Sequence, residues 1–213
     1  MPVIIGVDES GKGDFFGPLV IAAFCAPDSA LPVLERLGVK DSKKLTDSRM
    51  HAIDAELRER FPHVVRVFLP SEYNNLYQKI KNLNVLLAKG HAEVISQLAA
   101  STPVDRAISD KFGKTELIEN ELARLGCDIE LHQEVRGEAI PQVAAASILA
   151  RVRFVNEMAA LSEQAGMELP KGASGIVDRA GRELVHMRGR DALGEFAKVH
   201  FKNFQRATAL KLL

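Results

Sequence analysis

Residues 3–26, VIIGVDESGKGDFFGPLVIAAFCA, decide the fold of this 213-residue chain. Val3–Val7 is a short β-branched apolar run of the kind that fills a buried central strand. It stops at two adjacent carboxylates, Asp8 and Glu9, and the chain then turns through Gly11-Lys12-Gly13. A second apolar run, Leu19–Cys25, follows Gly17-Pro18, so the stretch reads as a β-hairpin with a glycine-rich turn. Desolvating two carboxylates without partners is very unfavourable. A bound cation is the common remedy, and hard oxygen donors suit magnesium or manganese.

Beyond this hairpin, Ser29–Leu37 reads as a short helix ended by Gly38, followed by the basic loop Lys40–Leu45. Thr46 or Asp47 is placed to cap a helix with Met50, Ile53 and Leu57 on one face. Pro62 ends it, and His63–Leu69 alternates as a third strand. A short helix capped by Ser71 follows, running through Tyr77. Asn82–Ala100 has the strongest helical period, with Asn82 and Asn84 placed either to cap it or to touch a ligand. Val104–Ser109 is a fourth strand ending at Asp110, Thr115–Leu125 a helix, and Asp128–Val135 a fifth strand. Pro141–Met158 is a long alanine-rich helix, and Ser174–Met187 and Asp191–Ala197 are weaker helical segments. The order predicts an α/β fold with a five-stranded mixed sheet: an antiparallel hairpin and third strand, extended by parallel strands through helical crossovers. Ligands of such sheets bind beyond the carboxyl ends of the strands, which is where the acids fall. With no repeats and no low-complexity linker, residues 1–213 are expected to form a single domain.

Composition narrows the possible partners. Twenty-eight acids balance 28 bases, so nucleic acid would have to be held by a local patch rather than by net charge. No run approaches the roughly 18 apolar residues of a membrane span, and the N-terminus has no basic segment ahead of its apolar run. Two cysteines, Cys25 and Cys127, make no disulfide framework. The expectation is a cytoplasmic monomer.

Asp8, Glu9, Asp110 and Glu138 supply four acids from three segments, and such clusters hold the paired divalent ions used in phosphodiester hydrolysis. The glycines of Gly11-Lys12-Gly13 allow a close approach to a substrate backbone, and Lys12 is placed to meet a phosphate. A nucleoside-triphosphate loop is excluded because GxxxxGK[ST] is missing, and an EF-hand because Lys12 stands where an oxygen ligand is needed.

DESGKGDFFGPL (Asp8–Leu19), DSKKL (Asp41–Leu45) and AAASILAR (Ala144–Arg151) resemble the type 2 ribonucleases H. Gly11-Lys12-Gly13, YQKIKNLNVLLAKGH from Tyr77 and HFKN at His200–Asn203 are more similar to ribonuclease HIII than to ribonuclease HII. The resemblance implies a ribonuclease H-like fold with a C-terminal helical region. It implies Mg²⁺- or Mn²⁺-dependent cleavage of the RNA strand of RNA/DNA hybrids, leaving 5′-phosphate and 3′-hydroxyl ends. Asp8 would bridge two ions, with Glu9 and Asp110 as further ligands and Glu138 in the fourth place; Glu134 is the alternative there. Substrate contacts are implied for Gly11, Lys12, Gly13, Ser42, Lys43, Lys44 and Ser147, with His200, Lys202 and Asn203 as a further polar group. The extra N-terminal substrate-binding domain common in ribonuclease HIII is not expected, since Met1 lies two residues from the first strand. Two alternatives stand beside this reading: ribonuclease HII-like cleavage at single ribonucleotides in duplex DNA, and a catalytically silent hybrid-binding module.

Overall fold

The computed structural model describes residues 1–39 and 45–209. Its centre is a five-stranded sheet of β1 (Val3–Ser10), β2 (Leu19–Pro27), β3 (His63–Phe68), β4 (Arg106–Asp110) and β5 (Glu130–Glu134), in the order β3-β2-β1-β4-β5. β1 and β2 form the expected antiparallel hairpin, in register from Val3↔Pro27 to Ser10↔Val20. β4 pairs parallel with β1, and β5 parallel with β4. The mixed sheet read from the element order is therefore the one observed.

The helices are α1 (Leu31–Leu37), α2 (Asp47–Arg60), α3 (Pro70–Ile80), α4 (Leu83–Ser101), α5 (Glu116–Arg124), α6 (Pro141–Ala165), α7 (Gly175–Arg188), α8 (Leu193–Phe196) and α9 (Lys202–Thr208). Local chemistry explains several of their ends. Gly38 closes α1 in the left-handed region, and the Thr46 side chain accepts from the Arg49 N–H at the start of α2. Asn82 caps α4 by accepting from the amides of Asn84 and Val85, as the capping reading expects. Ser71 does not cap α3: Leu69 holds that position and Pro70 opens the helix, where a missing N–H costs nothing. The Asp191–Ala197 segment is helical only over Leu193–Phe196, and α9 is a helix that the sequence reading did not foresee.

The chain divides into two compact units. The first comprises Met1–Ser10, Val20–Arg66 and Asn82–Val152, and contains nearly all of the sheet. Strand alternation gives β1 two faces. On one, Ile4 joins Ile108 and Val143 in a buried cluster with Ile140 beside it. Gly6 lies so close to α6 that an added Cβ would stand 2.1 Å from the Gln142 carbonyl carbon. The opposite face carries Ile5 and Val7, both fully buried.

The second unit comprises Gly11–Leu19, Val67–Lys81 and the chain from Arg153 onward. Phe15 and Phe16 are fully buried and pack ring to ring at 4.8 Å. Phe16 makes an isolated antiparallel bridge to Ala197, and the Asn74 amide donates to the carbonyls of Gly194 and Ala197. Among the described residues, no helix is long and apolar enough to cross a membrane.

Candidate active site

The acids do not follow the first strand; they lie within it. Pairing with β2 continues through Asp8↔Ala22 and Glu9↔Ile21 to Ser10, so the expected end at Val7 is three residues early. The partner strand explains this, since Val20–Ala22 present an unbroken apolar row that keeps the ladder closed past the carboxylates. Alternation then sends the two acids to different sides of β1.

Asp8 shares the Gly6 face, beneath α6. Its carboxyl accepts from the Glu9 amide at 2.8 Å and is hydrogen-bonded to Ser147, one turn along α6 from the residues that cover Gly6. Burial first, then the charges of Glu9 and Asp110, push the Asp8 pKa from 3.8 up to about 7, against the two hydrogen bonds. Ser147, read from the sequence as a substrate contact, thus bonds the central acid.

Glu9 faces α4. Its Oε2 lies 3.1 Å from His91 Nε2, and the two side chains are 2% and 0% exposed. The other ring nitrogen, Nδ1, lies 3.0 Å from Ser109 Oγ, and that hydroxyl is also 3.0 Å from the Asp110 carbonyl oxygen. Phe112 packs its ring against the imidazole at 4.8 Å. The chain Glu9–His91–Ser109 therefore ties β1, α4 and β4 together beneath the acids. Sequence reasoning quoted His91 only as the last letter of a motif. The available signal was a lone histidine on the apolar stripe of α4, among Leu87, Val94 and Leu98.

Asp110 ends β4, and the Gly137 N–H donates to its Oδ1 at 2.9 Å. An added Cβ on Gly137 would stand 3.0 Å from the Asp110 Cα, so the turn after β5 closes directly over this strand end. Glu138 is the next residue, in the single 3₁₀ turn Gly137–Ala139, and is half-buried. Glu134, the alternative, is exposed and pairs with Asp110 in the β4–β5 ladder. The structure thus brings Glu9 and Asp110 within electrostatic reach of Asp8 and puts Glu138 on the segment docked against Asp110. Among the described residues, no three His, Cys, Asp or Glu side chains are drawn tightly enough to form a finished metal cage. The donor set nevertheless fits a divalent cation: it is all hard oxygen, and its central carboxyl is destabilised as an anion by burial first and then by neighbouring negative charge.

The glycine turn belongs to the second unit. Gly11 is buried at φ +89°, and a Cβ there would meet the Pro18 carbonyl at 2.2 Å. At Gly13 no atom lies within 4 Å of an added Cβ, so nothing in the fold demands glycine there. Lys12 and Gly13 are exposed. Ser42, Lys43 and Lys44 lie outside the described residues. The polar group at 200–203 is divided in role. Asn203 is buried and donates to Asp178 and the Ala173 carbonyl, whereas His200 stacks on Tyr77 at 4.0 Å. Burial, together with the charge of Lys198, pulls the His200 pKa down to about 4. A cavity of about 490 Å³ lined by Ser96, Pro103, Cys127 and Ile129 opens near the amino ends of β4 and β5 and contains none of the four acids.

Comparison with known proteins bears on the family and the fold. The family model described as ribonuclease HII matches residues 5–204. Ribonuclease HIII of Chlamydia felis is 42% identical over 203 residues, covering 94% of this chain and 68% of that protein. Ribonuclease HIII of Chlamydia pneumoniae is 45% identical over 203 residues, with the same coverage of 94% and 68%. The crystal structure of Bst-RNase HIII in complex with Mn²⁺ superposes with a TM-score of 0.91 at 34% identity, over 97% of this chain and 69% of that one. The fold is that of the type 2 ribonucleases H, and the chain belongs to the ribonuclease HII family as a ribonuclease H enzyme similar to the proteins called ribonuclease HIII.

Proposed function

We propose that this enzyme hydrolyses the RNA strand of RNA/DNA hybrids with Mg²⁺ or Mn²⁺, leaving 5′-phosphate and 3′-hydroxyl ends. The observation that carries the reading is the gathering of acids: Asp8 is buried in β1 within electrostatic reach of Glu9 and Asp110, and Glu138 lies on the turn docked against Asp110. That excess negative charge is what a divalent cation relieves. Asp8, Glu9, Asp110 and Glu138 would hold it. When bound, divalent ions supply an activated water and neutralise the leaving 3′-oxygen.

The chain's own contribution is to hold the donors still. Ser147 and the Glu9 amide fix the Asp8 carboxyl, His91 fixes one oxygen of Glu9, and the Gly137 amide fixes Oδ1 of Asp110. Such supporting contacts set the orientation of ligands and, through it, the rate. Lys12 would meet a phosphate, and the open space at Gly13 would admit the ribose edge whose 2′-hydroxyl separates RNA from DNA. Ser42, Lys43 and Lys44 would add phosphate contacts.

The test is cleavage of two labelled duplexes, one with an all-RNA strand against DNA and one with a single ribonucleotide in DNA. Efficient magnesium-dependent cutting of the first, with little of the second, is expected. Preferential cutting of the second would establish ribonuclease HII-like specificity. Binding of either duplex without cutting would leave only a hybrid-binding module.

A further inference from the structure

The second unit contains a side chain that the chemistry above does not use. Lys198 is 0% exposed, and lysine is almost never fully buried unless paired. Its amine donates to two backbone carbonyls, Asp14 O at 2.8 Å and Gly17 O at 2.7 Å, which bracket the buried Phe15-Phe16 pair. The Tyr73 ring centroid lies 5.6 Å from Nζ. Main-chain bonds run alongside: Lys198 N–H to Phe15 O at 2.8 Å and Gly17 N–H to Phe196 O at 2.9 Å. From the other side, the Phe15 amide donates to Gly172 O at 2.9 Å, and the Gly172 amide donates to Asp14 Oδ1 at 2.6 Å.

We infer that Lys198 is a positioning residue, the centre of a clamp that fixes the Gly11–Gly17 loop so that Lys12 and Gly13 are presented to the substrate backbone. The inference rests on the substrate-binding role proposed for that loop. Packing alone does not call for an amine here, since methionine fills a similar volume without the cost of desolvating a polar group. What an amine adds is donors, and the two acceptors it meets both belong to the loop. Burial pulls the Lys198 pKa down to about 7 despite the charge of Asp14. A neutral amine keeps two N–H groups, one for each carbonyl, so the clamp holds in either protonation state.

Lys198→Met keeps the volume and removes both donors. In the folded variant, KM for an RNA/DNA hybrid is expected to rise roughly tenfold, the factor that about 1.4 kcal/mol of lost positioning represents, with the smaller part of the effect in kcat. Amide exchange over residues 12–17 is expected to quicken while that of the sheet does not. Asp14→Ala cuts the tie to Gly172 from a half-buried position. It is expected to raise KM in the same direction, and it decides the matter if Lys198→Met does not fold. Unchanged KM in either folded variant, beside a wild type that cleaves the hybrid, overturns the clamp alone. A wild type that neither binds nor cleaves the hybrid overturns the functional reading and the clamp with it.

Discussion

His91 shows how much of this site depends on a residue that is never meant to meet substrate. Its imidazole is sealed from water, with one nitrogen on Glu9 and the other on Ser109. Replacing it by alanine leaves a buried carboxylate without this partner and opens a cavity. His91→Ala is expected to lose about 3 kcal/mol of stability in urea unfolding, with activity falling more than in a surface histidine control such as His51→Ala. Asp8 makes the opposite prediction. Its pKa of about 7 in the folded state stands above its ordinary 3.8, so the native protein keeps a proton that the unfolded chain has released. The stabilising contribution is therefore complete below about pH 4, declines as pH rises, and is gone above about pH 7. Three pKa units correspond to about 4 kcal/mol, an upper figure because neighbouring charges titrate together. In chelator, Asp8→Asn is expected to match wild type near pH 4 and to exceed it in urea unfolding at pH 8. An Asp8→Asn protein less stable than wild type at pH 8 would contradict the account of a carboxylate disfavoured by burial and by its neighbours' charge.

At the scale of elements, the hairpin turn separates what folding requires from what binding requires. Gly11 sits in the left-handed region against the Pro18 carbonyl, whereas Gly13 has open space where a side chain would go. Gly11→Ala is expected to lower the melting temperature by several degrees, as a strained and overpacked backbone costs about 1–3 kcal/mol. Gly13→Ala is expected to leave melting unchanged and to weaken hybrid binding, measured by fluorescence anisotropy. The element boundaries follow a related division. The α2 cap at Thr46, the αL stop at Gly38 and the cap at Asn82 were legible because each is decided by a few neighbouring side chains. The extension of β1 through Asp8 and Glu9 was not, because a partner strand decides it: β2 keeps pairing as far as Val20. α9 was missed for a similar reason. Asn203 is fixed by Asp178 and Ala173, distant in sequence, and a tetrapeptide that reads as a polar site is the start of a packed helix.

For the molecule as a whole, the sheet was legible because strand and helix periods differ and their order admits few topologies. The four acids were proposed from the resemblance; from spacing alone, Glu138 was an ordinary residue ahead of a helix. The Glu9–His91–Ser109 chain was not legible, since a histidine on an apolar stripe has no signature until the fold brings a carboxylate to it. The division into two units was equally hidden, because each draws on three stretches of chain with no linker between them. The central claim is that carboxylates from β1, β4 and the turn after β5 together serve a divalent ion at a scissile ribose-phosphate. The most direct measurement is cleavage of a labelled RNA/DNA hybrid by wild type and by Asp8→Asn, in Mg²⁺ and then in chelator, with hybrid binding recorded in parallel. The account predicts cleavage by wild type in Mg²⁺ alone, none by Asp8→Asn, and comparable binding by both. Near-native cleavage by Asp8→Asn, or cleavage that survives the chelator, would contradict it.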